Sequence, residues 1–164
     1  MIGWMIPEAM KNILIVCMGN ICRSPTAEAV FRHALEQAGI GGVRVDSAGT
    51  EAYHVGQAPD RRAIATARRH GIDMSGLRAR QVGSNDLDDF DLLLCADEVN
   101  LAALHRRFSD AGRAQRGLLL PWLGIAAPRE VPDPYYEDDA AFESVFVLLQ
   151  QASERLCARL REPA

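Results

Sequence analysis

The chain has 164 residues, of which 48% are hydrophobic and 24% are charged, and its formal net charge is -4 at pH 7. This length is typical of one domain that can bury a core without disulfide bonds. The negative charge argues against nucleic acid as the main partner, and no apolar run reaches the ~18 residues that a membrane span requires. Because the opening MIGWMIPEAMKN lacks the basic and apolar segments of a signal peptide, we expect a cytoplasmic location.

Short apolar runs alternate with amphipathic or capped segments along the chain. The runs NILIV, VRVDSAGT, FDLLLCAD and GLLLPWL predict strands over residues 12–16, 43–50, 90–97 and 117–123. Helical spacing and end signals predict helices over residues 25–38, 59–71, 97–108 and 138–160. Ser24 and Asp97 are the predicted N-caps of the first and third helices, and Gly39 ends the first helix.

Strands that alternate with helices favour a parallel sheet covered on both faces. The predicted fold is a single α/β domain with a four-stranded parallel sheet, of the flavodoxin-like type. Residues 1–9 are predicted to be an N-terminal extension and residues 10–164 the domain, because MKNILIVC is already a natural start. Ligands of such sheets bind beyond the carboxyl ends of the strands, where the segment from Cys17 lies.

The four cysteines indicate reactive or buried thiols in a reducing compartment. Cys17, Cys22, Cys95 and Cys157 are too few and too irregularly spaced for a disulfide scaffold. They form no CxxC motif, and no Cys/His cluster has the spacing of a zinc site. We therefore expect neither a metal nor a cofactor.

The segment CMGNICRSP, between the first strand and the first helix, has the composition of an anion site. A loop at a helix N-terminus offers successive backbone N–H groups and the positive end of the helix dipole. Gly19 and Asn20 tolerate a left-handed backbone, and Arg23 adds a planar guanidinium that can bind two phosphate oxygens. The GK[ST] ending of ATP-binding loops is absent, so the segment predicts a different kind of phosphate site.

The same surroundings favour a reactive thiolate at Cys17. A cysteine near a helix N-terminus and a cation gains thiolate character, and the Ser24 hydroxyl can donate to its sulfur. One turn thus offers an anion site and a nucleophile. A cysteine at a strand end is otherwise usually a buried small residue. The combination of strand, loop, Arg23 and helix favours the reactive interpretation.

With these features in view, the sequence resembles a known family. VCMGNICRSPTAEAVFR closely resembles the phosphate-binding loop of the low-molecular-weight protein tyrosine phosphatases. The likeness continues in VDSAGT, HGIDMS, ARQ, FDLLLCADEVNL and DPYY, and it covers residues 11–160. It implies the phosphotyrosine phosphatase I-like fold, hydrolysis of protein phosphotyrosine and small aryl phosphates, and a phosphocysteine intermediate on Cys17.

Release of a phenolic oxygen from phosphorus requires a proton that neither Cys17 nor Arg23 can supply. The segment VPDPYYED offers Asp133, although Asp-Pro is also common in simple turns. By resemblance, Asp133 protonates the leaving tyrosyl oxygen and then acts as base for the water that hydrolyses the phosphocysteine. The resemblance also assigns the phosphoryl oxygens to Arg23 and the loop amides.

The resemblance further implies an aromatic pocket for the phosphotyrosine ring. Tyr53 and Tyr135 would flank the ring, Met18 and Ile21 would form an apolar wall, and Tyr136 belongs to the same pocket. A slot deep enough for phenyl phosphate would disfavour the shorter phosphoserine. Tyr135 and Tyr136 are also candidates for phosphorylation, as the family suggests.

Further residues support the loop by resemblance. Cys22 matches a family cysteine that can form a reversible disulfide with the nucleophile, so we expect a redox-sensitive site, with a simply packed thiol as the alternative. Asn20 is expected to brace the loop backbone, with Ser47 as a partner. A family histidine after MS is replaced by Gly76 and Leu77, which leaves the bracing of Asn20 open.

Two other functions are compatible with an anion-binding loop. An arsenate reductase of the same fold needs resolving cysteines on a mobile segment, and Cys95 in a buried strand and Cys157 on the last helix are poorly placed for that. A non-catalytic phosphate-binding module would have no use for both Cys17 and Asp133.

The expected partners follow from the favoured function. They are a phosphotyrosine protein and, in the site, phosphate or other oxyanions. A bacterial tyrosine kinase, its targets and small aryl phosphates are all candidate substrates. We expect no nucleic-acid partner and no membrane partner.

Overall fold

The structure, a computed structural model, describes residues 11–161. The strands in this part of the chain are β1 (Asn12–Cys17), β2 (Arg44–Gly49), β3 (Leu92–Cys95) and β4 (Gln115–Leu118). The helices are α1 (Arg23–Gln37), α2 (Arg61–Arg69), α3 (Asp86–Asp89), α4 (Glu98–Phe108), α5 (Leu119–Trp122) and α6 (Asp139–Arg161). The predicted extension, residues 1–9, lies outside the described residues. None of the helices within residues 11–161 has the length and apolarity needed to cross a membrane.

The strands form one parallel sheet in the order β2-β1-β3-β4. In β1, Ile13 and Ile15 face one hydrophobic cluster, whereas Leu14 and Val16 face a second cluster. Successive side chains of a strand point to opposite faces of its sheet, so burial on both faces explains the continuous apolar run. The predicted four-stranded parallel sheet is confirmed.

Helices cover both faces of the sheet. On one face the core includes Phe31 of α1, Ala67 of α2 and Phe146 of α6. On the other face it includes Leu87 of α3 and Leu104 of α4. This two-sided cover confirms the predicted fold class.

The start of α1 differs from the prediction. The helix begins at Arg23, with Cys22 at the N-cap position and no side-chain capping bond, so the prediction of Ser24 as N-cap is wrong. The Ser24 hydroxyl is used elsewhere, because it contacts the Cys17 sulfur and accepts a hydrogen bond from Asn20. The predicted end is confirmed, since Gly39 follows α1 with φ 69°, a left-handed conformation that glycine adopts easily.

The fourth predicted strand, residues 117–123, is wrong beyond Leu118, and the observed strand begins earlier, at Gln115. The strand ends at Leu118, and residues 119–122 form the short helix α5. Pro121 provides the physical reason, because it has no N–H to donate to a strand ladder, whereas the first turn of a helix tolerates it. The third predicted helix is α4 in the structure. Its predicted N-cap is confirmed, since the Asp97 side chain accepts a hydrogen bond from the Asn100 amide.

The carboxyl edge of the sheet gathers the segments of the site. The Thr50 amide, just after β2, donates to the Cys17 carbonyl at the end of β1 over 2.9 Å. The Val131 amide donates over 2.8 Å to the carbonyl of Ala96, just after β3. The last contact brings the segment before α6 to the same edge, as expected for a parallel sheet.

Gly49, the last residue of β2, allows the loop after β1 to pack against this edge. A Cβ atom at Gly49 would lie 2.6 Å from the Met18 carbonyl oxygen and 3.2 Å from the Asn20 nitrogen. We expect Gly49→Ala to lower the free energy of unfolding in urea by about 1–3 kcal/mol, because neither backbone atom can move freely. Gly41→Ala is the control, since a Cβ there meets nothing within 4 Å. Equal stability of the two variants would contradict the packing argument.

Candidate active site

Four carbonyl oxygens at the junction of β1 and α1 accept hydrogen bonds from backbone N–H groups. The four acceptors and their amide donors are Cys17 with Thr50 (2.9 Å), Met18 with Glu51 (3.0 Å), Ile21 with Asp60 (2.8 Å) and Cys22 with Thr26 (3.2 Å). In a trans peptide the N–H points opposite to the C=O. The N–H groups of the same peptides, which belong to Met18, Gly19, Cys22 and Arg23, therefore face the other side of the loop. Several backbone N–H groups directed to one side of a loop at a helix N-terminus can together bind an anion.

Asn20 holds the turn of this loop. Its φ of 57° is left-handed, a conformation that asparagine tolerates better than most residues. Its side-chain amide donates to the hydroxyl oxygens of Ser24 (2.8 Å) and Ser47 (3.0 Å), and its carbonyl oxygen accepts from the Arg80 backbone N–H (3.0 Å). Each of these polar groups has a partner, so the carboxamide is braced although no histidine is present at Gly76 or Leu77.

The bracing continues into a buried carboxylate that the sequence did not reveal. Ser47 donates to Glu28 over 2.6 Å, and the second oxygen of Glu28 lies 2.7 Å from the Arg32 guanidinium. Burial raises the pKa of Glu28, although the Ser47 hydrogen bond and the Arg32 charge oppose that shift. Glu28 lies four residues before Arg32 on α1, which is a spacing typical of a helical ion pair. Nothing local in the sequence connects either residue to Ser47.

Cys17 lies at the floor of a cavity of about 280 Å³. The residue is only 3% exposed, and its sulfur lies 2.9 Å from the Ser24 hydroxyl oxygen. Because Ser24 already accepts a hydrogen bond from Asn20, its own hydrogen is free to point at the sulfur. In this arrangement the Ser24 hydroxyl can donate a hydrogen bond to the Cys17 sulfur.

Arg23 is buried and lines the same cavity as Cys17, and its guanidinium is held by several contacts. It donates to the Asp97 carboxylate (2.6 Å) and to the Val131 carbonyl (3.0 Å), and another nitrogen lies 3.8 Å from Asp133. Burial by itself lowers the pKa of Arg23, but the nearby charges of Cys17, Asp97 and Asp133 outweigh it and raise that pKa. The guanidinium is therefore a fixed positive charge at the cavity wall.

Asp97 has a second role that the sequence reasoning missed. One carboxylate oxygen caps α4 through the Asn100 amide (2.8 Å), and the other accepts from Arg23. The sequence did carry a signal, because Asp97 is the last residue of a predicted strand. In the sheet β3 pairs with β1, so residues after the two strands meet at one edge.

Asp133 lies across the cavity from the loop. Its side chain is 46% exposed, and one oxygen accepts a hydrogen bond from the Tyr135 amide over 3.1 Å. The Asp-Pro turn of the alternative interpretation is thus present. The same turn also places a carboxyl group against the cavity, so the two interpretations do not exclude each other.

The remaining candidate residues surround the same cavity or support it. Those that line it are Cys17, Met18, Gly19, Ile21, Cys22, Arg23, Tyr53, Asp133, Tyr135 and Tyr136, together with His54. Asn20, Ser24 and Ser47 lie buried behind the loop. Tyr53 is 69% and Tyr136 91% exposed, whereas Tyr135 is 37% exposed and more enclosed. His54 was not predicted, and its place next to Tyr53 in the chain was the only signal.

Cys22 shares the cavity wall with Cys17, and both are free thiols in the structure. Burial raises the pKa of Cys22 well above its ordinary value, and the negative charge of Asp60 adds to the effect. Cys22 is therefore a neutral thiol at rest. A disulfide with Cys17 stays a prediction.

Comparison with known proteins now decides the family. A sequence model of the family described as low molecular weight phosphotyrosine protein phosphatase matches residues 12–164. The chain belongs to this family. A human low molecular weight phosphotyrosine protein phosphatase is 42% identical over 164 residues, covering 98% of this chain and 99% of the relative. The predicted class, a protein tyrosine phosphatase, is confirmed at the level of the family.

Two bacterial proteins extend the comparison. The low molecular weight protein-tyrosine-phosphatase YfkJ of Bacillus subtilis is 38% identical over 154 residues, covering 93% of this chain and 97% of the relative. Its crystal structure matches with a TM-score of 0.79, covering 91% and 93% of the two chains. The tyrosine phosphatase Wzb from Escherichia coli K30, solved in complex with sulphate, matches with a TM-score of 0.80 and 35% identity, covering 92% and 99%.

The buried carboxyl of Glu28 predicts a pH dependence of stability. A raised pKa in the folded state means that the folded protein binds this proton more tightly, so its contribution to stability falls as pH rises above the ordinary carboxyl range of about 4. Glu28→Gln keeps an acceptor for Ser47 but cannot ionise. We expect the substitution to cost less free energy of unfolding near pH 7 than near pH 4, as measured by urea denaturation.

Glu154→Gln is the control for this measurement, because Glu154 is an exposed carboxylate on α6. The same pH trend in both variants, or a larger cost for Glu28→Gln near neutral pH, would contradict the assignment.

Proposed function

We propose that the chain hydrolyses protein phosphotyrosine through a phosphocysteine intermediate on Cys17. The observation that carries the proposal is the meeting of one sulfur, one guanidinium and one carboxyl group at a single cavity. Cys17 has a hydroxyl partner at 2.9 Å, Arg23 is held by Asp97, and Asp133 lies 3.8 Å from Arg23. A non-catalytic phosphate site would need the cation and the loop amides alone.

In the first step the Cys17 thiolate attacks phosphorus. A sulfur–phosphorus bond forms and the bond between phosphorus and the tyrosyl oxygen breaks. Asp133 gives its proton to that oxygen, so tyrosine leaves as a neutral phenol. Arg23 and the loop amides hold the three non-bridging oxygens throughout, and catalysis rests chiefly on positioning and charge stabilisation.

In the second step water hydrolyses the phosphocysteine. Asp133, now ionised, takes a proton from the attacking water, and the sulfur–phosphorus bond breaks. Cys17 leaves as a thiolate, which the Ser24 hydroxyl stabilises, and inorganic phosphate is released. Asp133 ends the cycle protonated, so the residues return to their first state.

The cavity walls support an aromatic phosphate ester as substrate. Tyr53 and Tyr135 line the cavity together with Met18 and Ile21 of the loop, and these side chains offer apolar surface for a phenyl ring. A phosphoserine reaching the same floor would leave these walls without contact. A phosphoprotein is therefore the proposed partner, and phosphate and other oxyanions are expected to compete for the loop.

The finer predictions stay open to test. A bacterial tyrosine kinase as substrate, the redox disulfide of Cys17 and Cys22, phosphorylation of Tyr135 or Tyr136, and a cytoplasmic location are all part of the proposal. The arsenate reductase alternative is not favoured, since the relatives reported above are named phosphatases. Cys95 is fully buried in β3, and Cys157 is buried on α6.

The assignment of the nucleophile is tested with Cys17→Ser. We expect this variant to fold but to release no phosphate from a phosphotyrosine peptide, because a serine hydroxyl here has no base to activate it. Cys157→Ser, on the distant helix α6, should keep the wild-type rate. Turnover of the peptide by Cys17→Ser would remove the nucleophile assignment. Phosphoserine peptide and arsenate, run in parallel on the wild type, test the substrate class.

The assignment of the acid is tested with Asp133→Ala on two substrates. We expect kcat/KM to fall by about 10²-fold or more for phenyl phosphate, which has a poor leaving group, and much less for para-nitrophenyl phosphate. Asp139→Ala, which removes a carboxylate at the start of α6, is the control for net charge. An equal loss on both substrates would exclude Asp133 as the acid.

A further inference from the structure

The start of α2 is attached to the phosphate-binding loop. The backbone N–H of Asp60 donates to the Ile21 carbonyl oxygen over 2.8 Å. The Asp60 carboxylate caps the helix by accepting from the Arg62 amide over 2.8 Å. A hydrogen bond therefore connects Asp60 directly to the loop that surrounds Cys17.

Arg62 extends from this cap to the segment that carries Asp133. Its guanidinium makes two contacts with the Asp60 carboxylate, at 3.1 and 3.0 Å. It also donates to the carbonyl oxygens of Tyr135 (2.9 Å) and Glu137 (3.3 Å). Its Cζ atom lies 4.4 Å from the centre of the Phe142 ring, so the side chain is held from several sides.

The contact with Tyr135 leads directly to the acid. The carbonyl of Tyr135 accepts from Arg62, while the N–H of the same residue donates to Asp133 over 3.1 Å. Moving the backbone of Tyr135 would therefore move the hydrogen-bond donor that orients the Asp133 carboxyl. Hydrogen bonds from Arg62 also lower the pKa of Asp60, although burial opposes that shift, so the Asp60–Arg62 pair is charged.

We propose that Arg62 is a positioning residue for Asp133, and that the Asp60–Arg62 pair fixes the distance between the acid and the loop that holds phosphate. This inference rests on the proposed function, because it assigns a role only if Asp133 is the acid. Arg62 touches none of the reacting atoms. It acts by joining two segments that are more than seventy positions apart in the chain, as the separation of 73 between Arg62 and Tyr135 records.

A planar guanidinium suits this role better than an ammonium group. Two nitrogens of Arg62 bind the Asp60 carboxylate, and the same guanidinium also donates to the carbonyl oxygens of Tyr135 and Glu137. The three N–H donors of a lysine lie on one nitrogen, so lysine cannot reproduce the planar, two-nitrogen contact with the carboxylate. The structure thus predicts a graded series in which arginine is best, lysine intermediate and glutamine worst.

The experiment compares Arg62→Gln, Arg62→Lys and Arg61→Gln in the full chain, with phenyl phosphate and para-nitrophenyl phosphate as substrates. Arg61 is exposed at the preceding position of α2, so it is the control for loss of one charge. We expect Arg62→Gln to lower kcat/KM for phenyl phosphate about 10-fold and for para-nitrophenyl phosphate less than about 3-fold, because a displaced acid matters most for a poor leaving group. Arg62→Lys should lie between Arg62→Gln and the wild type, and Arg61→Gln should match the wild type.

A double variant separates positioning from general damage. In an Asp133→Ala background, Arg62→Gln should leave the ratio of the two kcat/KM values unchanged, since no acid is left to position. An equal loss on both substrates, the same ratio change in Arg61→Gln, or a further ratio change in the Asp133→Ala background would overturn the inference. Circular dichroism checks the fold, and if Arg62→Gln does not fold, the ratio for Arg62→Lys decides.

The proposed function fails in a different way. If the wild type hydrolyses neither substrate, or if Asp133→Ala leaves the ratio unchanged, Asp133 is not the acid and the inference falls with that assignment. If Asp133→Ala changes the ratio and Arg62→Gln does not, only the role of Arg62 is excluded.

Discussion

The site depends on one constraint, which is that the loop after β1 must keep its carbonyl oxygens turned outward. An anion cannot approach a row of carbonyl dipoles, so a loop that relaxed would lose its affinity for phosphate. The carbonyl oxygens are held by backbone donors from the segment after β2, from the N-cap of α2 and from α1, and the left-handed turn is held by the carboxamide of Asn20. In the proposed function, residues that do not touch substrate thus determine whether the loop can bind it.

The hydrogen bonds of Asn20 also reach the sulfur of Cys17 through Ser24. Asn20 donates to Ser24, which leaves the Ser24 hydrogen for Cys17. Asn20 also donates to Ser47, which in turn donates to Glu28. Breaking a buried charged contact costs about 3–5 kcal/mol, because one partner is left uncompensated. Arg23 makes such a buried charged contact, since it is 3% exposed and its guanidinium pairs with the Asp97 carboxylate. The buried charges therefore belong to a preformed site, which would need little rearrangement to bind the proposed phosphate.

Asp133, the proposed acid, is held differently from the loop. Asp133 is half-exposed, which suits a group that must exchange a proton with water, whereas Cys17 and Arg23 are buried. Its segment is attached to the sheet through Val131 and to α2 through Arg62. Two attachment points on one short segment fix the carboxyl group without enclosing it, and this combination suits the proposed role of Asp133 as acid and then base.

The sequence by itself determined the strand, loop and helix around Cys17, the parallel α/β class and the pairing of a thiol with Arg23, because these follow from local periodicity and composition. Only the tertiary structure decided that Ser24 serves the sulfur instead of capping α1, that residues 119–122 leave the sheet, and that Asp97 holds Arg23. The physical reason is distance along the chain. Arg23 and Asp97 are 74 positions apart, and Glu28 and Ser47 are 19 apart, so their contacts exist only once the strands have paired and the helices have packed.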